Sequence, residues 1–272
     1  MERFLVAAHF EDGVIERSPN NRKIKLVDGT ELESDLLSYF SEHCSYFRFE
    51  FENELRERIG QEVFDEFCDV IANEWFDGMR LRQEGRSRKL KRSVHDYLVK
   101  ISGKSSRAES LIQLEQMPTD VEPLIPIEAV AAILTVNDQM IIRHIEAWKV
   151  VHPNHDTLSS GGVFLRRGLA LNRELDTAKP YREWDFLNSY SMAFSAPEQF
   201  AQITSGHLPA TLNGELALFE ERVLFFSPFI PGMDLGQLEF GIIPSLSALP
   251  IHFQGDHGGF LEYILDPAPY QK

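Results

Sequence analysis

An α+β fold, with helices first and strands after, is what this sequence predicts. Three observations carry that prediction. Leu55, Ile59, Val63, Phe67, Val70, Ile71 and Trp75 recur near i, i+4, i+8 spacing, the apolar stripe of an amphipathic helix. From Ser159-Ser160-Gly161-Gly162 onward the segments become short, apolar and turn-bounded, and glycine, proline and phenylalanine rise. No long linker separates the two regimes. The chain therefore divides into a mainly helical region with a short hairpin, 1–155, and a β-rich region, 156–272.

The elements follow in order. Val14-Ile15-Glu16, a turn through Ser18-Pro19-Asn20-Asn21 and the alternation Lys23-Ile24-Lys25-Leu26-Val27 read as a hairpin, stopped by Asp28-Gly29. Leu36, Leu37 and Phe40 start a first helix, and the 55–75 stripe makes a second. Phe64, Phe67, Trp75 and Phe76 belong to its packing. Ser93 to Ile101 is a third helix. Ser102-Gly103-Lys104-Ser105-Ser106 is a loop and not a P-loop, because the upstream glycine and the preceding strand are missing. Pro118 and Glu122-Pro123-Leu124-Ile125-Pro126 punctuate the chain. Ile127 to Leu134, a turn at Thr135-Val136-Asn137-Asp138, and Gln139 to Val151 have the rhythm of a helix-turn-helix. As a DNA reader it is poor. Its second helix sets Arg143, His144 and Lys149 against Glu146, and its isoleucines are wanted in a core, so a plain helical hairpin fits better.

Charge narrows the function classes. The 272 residues carry 27 basic and 42 acidic side chains, a net −15 that opposes broad nucleic-acid binding by long-range phosphate repulsion. The segment from Arg80 to Arg92 runs against this trend, as a solvated helix end or as a local patch for phosphates or an acidic partner. No apolar run reaches the length of a membrane span, and the opening residues lack a secretory leader's basic start and long apolar stretch. Cys44 and Cys68 sit in no metal-spaced cluster and are too few for a disulfide framework. These features point to a cytoplasmic protein without a membrane partner.

Three segments of the β-rich region pair an apolar strand with polar residues at its end. Val163-Phe164-Leu165-Arg166-Arg167-Gly168 delivers an arginine, whose planar fork suits a pyrophosphate, and a glycine that lets a ligand approach the backbone. Strand alternation points Arg166 and Arg167 opposite ways. Trp184 to Leu187 reads as a strand, followed by Asn188-Ser189-Tyr190-Ser191 and by Ala196-Pro197-Glu198-Gln199-Phe200-Ala201, a short helix. Leu238-Glu239-Phe240-Gly241-Ile242-Ile243-Pro244 is a further strand, Ser245 to Gly259 a loop, and Leu261-Glu262-Tyr263-Ile264-Leu265 a last strand. His252 and Asp256-His257 match no standard metal spacing, and no metal is expected.

Arginine, serine pair and glutamate, in that order and with those flanks, resemble the Arg–Ser–Glu pattern of the ADP-ribosyltransferase fold, whose members include bacterial toxins and phage proteins. The resemblance covers about 110 residues. It implies a C-terminal split antiparallel β-sandwich that binds NAD as co-substrate and transfers ADP-ribose to a macromolecular acceptor, protein or nucleic acid, in a toxin or phage-defence setting with a cognate antitoxin or partner. Arg167 matches the arginine that holds the phosphates and ribose, with Arg166 as the alternative. Gly168 and Ser191 flank the cofactor. Ser189 matches the serine that orients the catalytic glutamate, and tyrosine replaces the family's central threonine. Tyr190 or Phe194 would stack on nicotinamide. Glu262 matches the glutamate that precedes an apolar triplet, with Glu221 as its rival. The family often places Glu or Gln two residues before that glutamate. Phe260 stands there instead, which puts an arginine acceptor in doubt. A competing reading is a non-enzymatic acidic interaction protein, such as an antitoxin, inhibitor or phage accessory factor. A DNA-binding regulator using 127–151 comes third.

Overall fold

The computed structural model describes residues 15–17, 24–26, 32–75, 85–102, 120–151, 163–183, 187–193, 195–202, 205–233, 235, 238–256 and 260–265. Strands β1 (Ile15–Arg17) and β2 (Ile24–Leu26) form the expected antiparallel hairpin, Ile15 opposite Leu26.

The helical region has fewer and longer elements than the sequence suggests. Helix α1 (Leu32–Ile59) runs unbroken for 28 residues, because Phe40, Phe47, Phe51 and Leu55 continue one buried stripe through residues 41–54, where the sequence suggests a gap between two helices. It stops at Gly60, whose φ of +81° is a left-handed conformation that glycine adopts without a Cβ clash. Helix α2 (Gln61–Val70) buries Phe64, Phe67, Cys68 and Val70 and ends in one π-helical turn, Ile71–Trp75. Helix α3 (Arg86–Ser102) begins inside the basic segment. There Arg86 pairs with Asp69 and Glu74, Arg88 with Asp120 and Arg92 with Asp96, so these guanidinium charges are met locally. Arg80 to Glu84 lie outside the described residues.

The helix-turn-helix expected over 127–151 is one continuous helix, α4 (Ile127–Val151). The residues we read as a turn have partners that make helix acceptable. Thr135 Oγ1 donates to the Ala131 carbonyl, and buried Asn137 donates to the carbonyls of Ile133 and, across the core, Leu224. Val136 and Met140 beside it are fully buried. No described helix is long and apolar enough to cross a membrane.

The β-rich region folds into a seven-stranded sheet of order β6-β7-β4-β3-β5-β9-β8. Its strands are β3 (Phe164–Leu171), β4 (Asn188–Ser191), β5 (Leu208–Glu215), β6 (Val223–Phe226), β7 (Glu239–Ile242), β8 (Ile251–Asp256) and β9 (Leu261–Leu265). Every pair is antiparallel except β5 with β9. The hydrogen-bonded ladder is continuous, where two packed sheets were expected. Asn188 to Ser191 are strand rather than strand end, and β8 lies within the expected loop 245–259. Helix α5 (Ser195–Gln202), the short helix expected after the serines, lies on β3 and β5.

One hydrophobic core links both regions. Phe226 and Phe240 stack at 4.1 Å between ring centroids, Phe40 meets Phe226 edge-on at 5.0 Å, and Phe51 stacks on Phe229 at 5.9 Å. These rings dock α1 against the β6 edge of the sheet, while α4 packs along β6.

Candidate functional site

Register decides which of the motif side chains meet. Arg166 on β3 stands opposite Ser191 on β4, and Ser191 stands opposite Glu239 on β7. Residues opposite one another in adjacent strands project to the same face. Arginine, serine and glutamate thus form a row across three neighbouring strands. Ser189 and Gly168 share that face by alternation. So do Thr211, Asn213 and Glu262, since Arg166 opposes Asn213 and Thr211 opposes Glu262. Arg167, Asn188 and Tyr190 point to the other face.

Two glutamate sites occupy the first face. In one, Arg166 donates to Glu198 of α5 at 3.1 Å, to Thr211 Oγ1 at 3.2 Å and to Glu262 at 3.2 Å. Asn213 also donates to Glu262, at 3.0 Å. Arg166 is 3% exposed, and Glu198 and Glu262 are fully buried. Burial pulls the Arg166 pKa down, and Glu262 beside it pushes back. Charge taken this far from water persists only when tightly paired. Helix α5 seals the cluster. A Cβ on Gly168 would lie 1.8 Å from the Pro197 carbonyl oxygen, so the glycine admits the helix backbone, not a ligand as the sequence suggested.

In the second site, Ser189 Oγ donates to Glu239 Oε1 at 2.6 Å. Both residues are half-buried. The strand beneath is held from behind, since the Glu239 amide donates to Ser227 Oγ at 3.0 Å and Ser227 is fully buried. Ser191 Oγ accepts the Ala193 amide at 2.8 Å, which turns the chain from β4 toward α5. A half-buried carboxylate with one oxygen fixed by a serine and its backbone pinned is preorganised to meet positive charge that develops in a bound molecule.

The residues marked from sequence are distributed over both faces. Ser189, Ser191, Gly168, Glu262 and the alternative Arg166 share the first. Glu262 contacts Arg166, whereas the serine's partner is Glu239. Arg167 hydrogen-bonds the Asn188 side-chain oxygen on the second face. Tyr190 is 1% exposed there, its ring 4.6 Å from that of Phe219 and its hydroxyl donating to Glu183 at 3.2 Å; burial pushes its pKa well up. It is a core residue and is not placed to stack on a ligand beside Ser189. Glu221, with φ of +59°, is an exposed turn residue ahead of the edge strand β6, and its amide donates to Asp138. Phe194 lies outside the described residues.

Glu239, Glu198, Thr211 and Asn213 escaped the sequence reading. For Glu239 a signal existed. Gln237-Leu238-Glu239 has a glutamine two residues before the glutamate and Phe240-Gly241-Ile242 after it, the very arrangement that Glu262 lacks. Gln237 itself lies outside the described residues. No family model, curated protein or solved structure matches this chain.

Proposed function

We propose that the chain is an NAD-dependent mono-ADP-ribosyltransferase with Glu239, not Glu262, as its catalytic carboxylate and Ser189 as the residue that orients it. The 2.6 Å hydrogen bond between Ser189 and Glu239 carries this reading. The Arg–Ser–Glu pattern requires a serine that holds a glutamate, and this pair meets the requirement on the two strands next to the arginine strand, β4 and then β7. Rupture of the nicotinamide–ribose bond builds positive charge on the ribose, and a fixed carboxylate beside the ring stabilises it while the acceptor attacks the same carbon. Nicotinamide leaves with the electrons of the broken bond, and positioning supplies much of the remaining rate. Arg166 anchors the floor in this reading, since its fork is already taken by Glu198 and Glu262. The acceptor is a protein or nucleic acid. Gln237 in place of a second glutamate argues against an arginine side chain as that acceptor.

A second reading, a non-enzymatic acidic interaction protein, is favoured by that same occupied arginine and by the −15 net charge. One experiment separates the two. Purified protein is incubated with labelled NAD and cell extract, and protein and nucleic-acid fractions are read separately. The first reading expects label transfer that falls by about 10²–10³ in Glu239→Gln, the scale of losing one preorganised electrostatic group. Absence of NAD binding and of transfer would leave the second.

A further inference from the structure

The connection from β6 to β7 is closed by one hydrogen bond between its two ends. Ser227, the residue after β6, accepts on Oγ the amide of Glu239, the first residue of β7, at 3.0 Å. Ser227, Pro228 and Phe229 form one short turn and are all buried. Phe229 fixes that turn to the helical region, since its ring stacks on Phe51 of α1 at 5.9 Å and meets Phe226 edge-on at 5.1 Å. At the far end Leu238 is fully buried and has a φ of +43°. Its amide donates to the Leu235 carbonyl at 3.0 Å, and its own carbonyl accepts the Met192 amide at 3.4 Å. We propose that Ser227 is a positioning residue for the Glu239 carboxylate, acting through the left-handed backbone at Leu238, a role that rests on reading Glu239 as the catalytic group.

A left-handed conformation crowds the Cβ of any residue but glycine, and it persists only where the surroundings over-determine it. Glu221 is the other non-glycine residue in that region among those described, and it lies in an exposed turn. Leu238 instead lies in the core, directly before the carboxylate. Register shows what the strained residue achieves. Glu239 enters β7 opposite Ser191, with its side chain on the face of Ser189, and its carboxylate reaches Ser189 Oγ at 2.6 Å. Were Leu238 to relax, the chain would enter β7 in another direction and carry the carboxylate away from the serine. Three hydrogen bonds oppose that relaxation, to Leu235, from Met192 and to Ser227. Of these, the bond to Ser227 is the one made by a side chain. Its loss would strand a buried amide without an acceptor, beside a residue already held under strain.

NAD kinetics, amide exchange and crystal structures of the whole chain carrying Ser227→Ala or Ser227→Thr test this role. In Ser227→Ala we expect kcat to fall about tenfold with KM near its parent value, and exchange at the Glu239 amide to speed up about tenfold, the scale of one stranded buried donor. The hydrogen bond between Ser189 and Glu239 should be lost in the crystal of that variant. Ser227→Thr keeps the hydroxyl and should restore all three. Leu238→Gly and Leu238→Ala give a second test that needs neither serine variant. Glycine adopts the left-handed conformation freely, so Leu238→Gly should unfold at higher urea than Leu238→Ala, the reverse of the order at an ordinary strand position. Parent-like kcat per folded molecule in Ser227→Ala, with only its unfolding midpoint lowered, would overturn the proposal. So would an intact bond between Ser189 and Glu239 in that variant, or alanine more stable than glycine at 238. A parent protein without NAD turnover would instead end the catalytic reading, and the crystal structures and exchange rates would then decide by themselves whether Ser227 places the Glu239 side chain.

Discussion

Glu239 and Glu262 project from the same face of one sheet, each in a strand of mostly apolar residues, yet their surroundings differ in kind. Glu262 is fully buried under α5 and shared by Arg166 and Asn213. Glu239 is half-buried, with a serine on one oxygen. A carboxylate locked between a buried arginine and an amide is closed off from solvent, and through Arg166 it ties β3, β5 and β9 to α5. A half-buried carboxylate oriented by a hydroxyl lies where a bound molecule can reach it. The difference teaches that pattern alone finds glutamates at strand ends, whereas their neighbours separate a buried, arginine-bound one from a half-buried one held by a serine.

The largest effect should come from breaking the architectural pair. Glu262→Gln removes one of the two described carboxylate partners of Arg166 and leaves Glu198, and losing a buried hydrogen bond between charged groups costs about 1.5–3 kcal/mol. Urea unfolding should register that loss, while NAD turnover per folded molecule stays near the parent value. Glu239→Gln should do the reverse, with turnover down about 10²–10³ and the unfolding midpoint little changed. Equal loss of activity without loss of stability in Glu262→Gln would exchange the two roles.

Gly168→Ala sharpens the comparison from the helix side. The added methyl meets the Pro197 carbonyl and the Ala201 amide, both backbone, so α5 must shift. Overpacking of this kind costs about 1–3 kcal/mol, and amide exchange should speed up in α5 and β3 before it does in β7. Uniform protection across the three elements would mean that the helix does not seal the Arg166 cluster. Ser189→Ala acts on the other site. Removing one hydrogen bond to a charged group should lower kcat about tenfold and leave KM near its parent value, because the serine orients the carboxylate and does not hold the substrate.

How much of this was legible in the sequence depended on where each residue's partner lies. The apolar stripe that α2 carries and the β1–β2 hairpin were readable because their signals are local, whereas the run of α1 through 41–54 and the break of the expected 55–75 helix at Gly60 were not. Continuity of α4 was not, since Asn137 is satisfied in part by the Leu224 carbonyl, 87 residues away. Strand β5 was missed for a related reason. Leu208-Pro209-Ala210-Thr211-Leu212-Asn213-Gly214-Glu215 contains proline, glycine and three polar residues. Thr211 and Asn213 point inward because Arg166 and Glu262 await them there. Polar-inward residues erase the alternation by which strands are recognised. The serine's partner was obscured differently. Three glutamates, Glu221, Glu239 and Glu262, precede apolar runs, and only the order β7-β4-β3-β5-β9 shows that Glu239 is one strand from Ser189 while Glu262 is three.

A third carboxylate, Asp138, adds an effect that is read only as a dependence on pH. Asp138 is half-buried like Glu239, but its partner is a backbone amide, and Glu220 and Glu221 add like charge. Its pKa in the folded chain is raised from 3.8 to about 7, so the folded chain binds this proton more tightly than the unfolded chain does. Between those two values the unfolded state has released a proton that the folded state retains. Folding stability attributable to this group is therefore full below about pH 4, declines as pH rises, and is lost above about 7. Asp138→Asn carries no such proton and still accepts the Glu221 amide. The stability of the variant relative to the parent should consequently increase from pH 4 to pH 7 and level off beyond it. Unfolding midpoints in urea at pH 4, 5.5, 7 and 8 measure that difference. A difference that is flat across the series would mean that Asp138 is solvated like an ordinary surface carboxylate. One that runs in the opposite direction would mean that a cation already sits beside it.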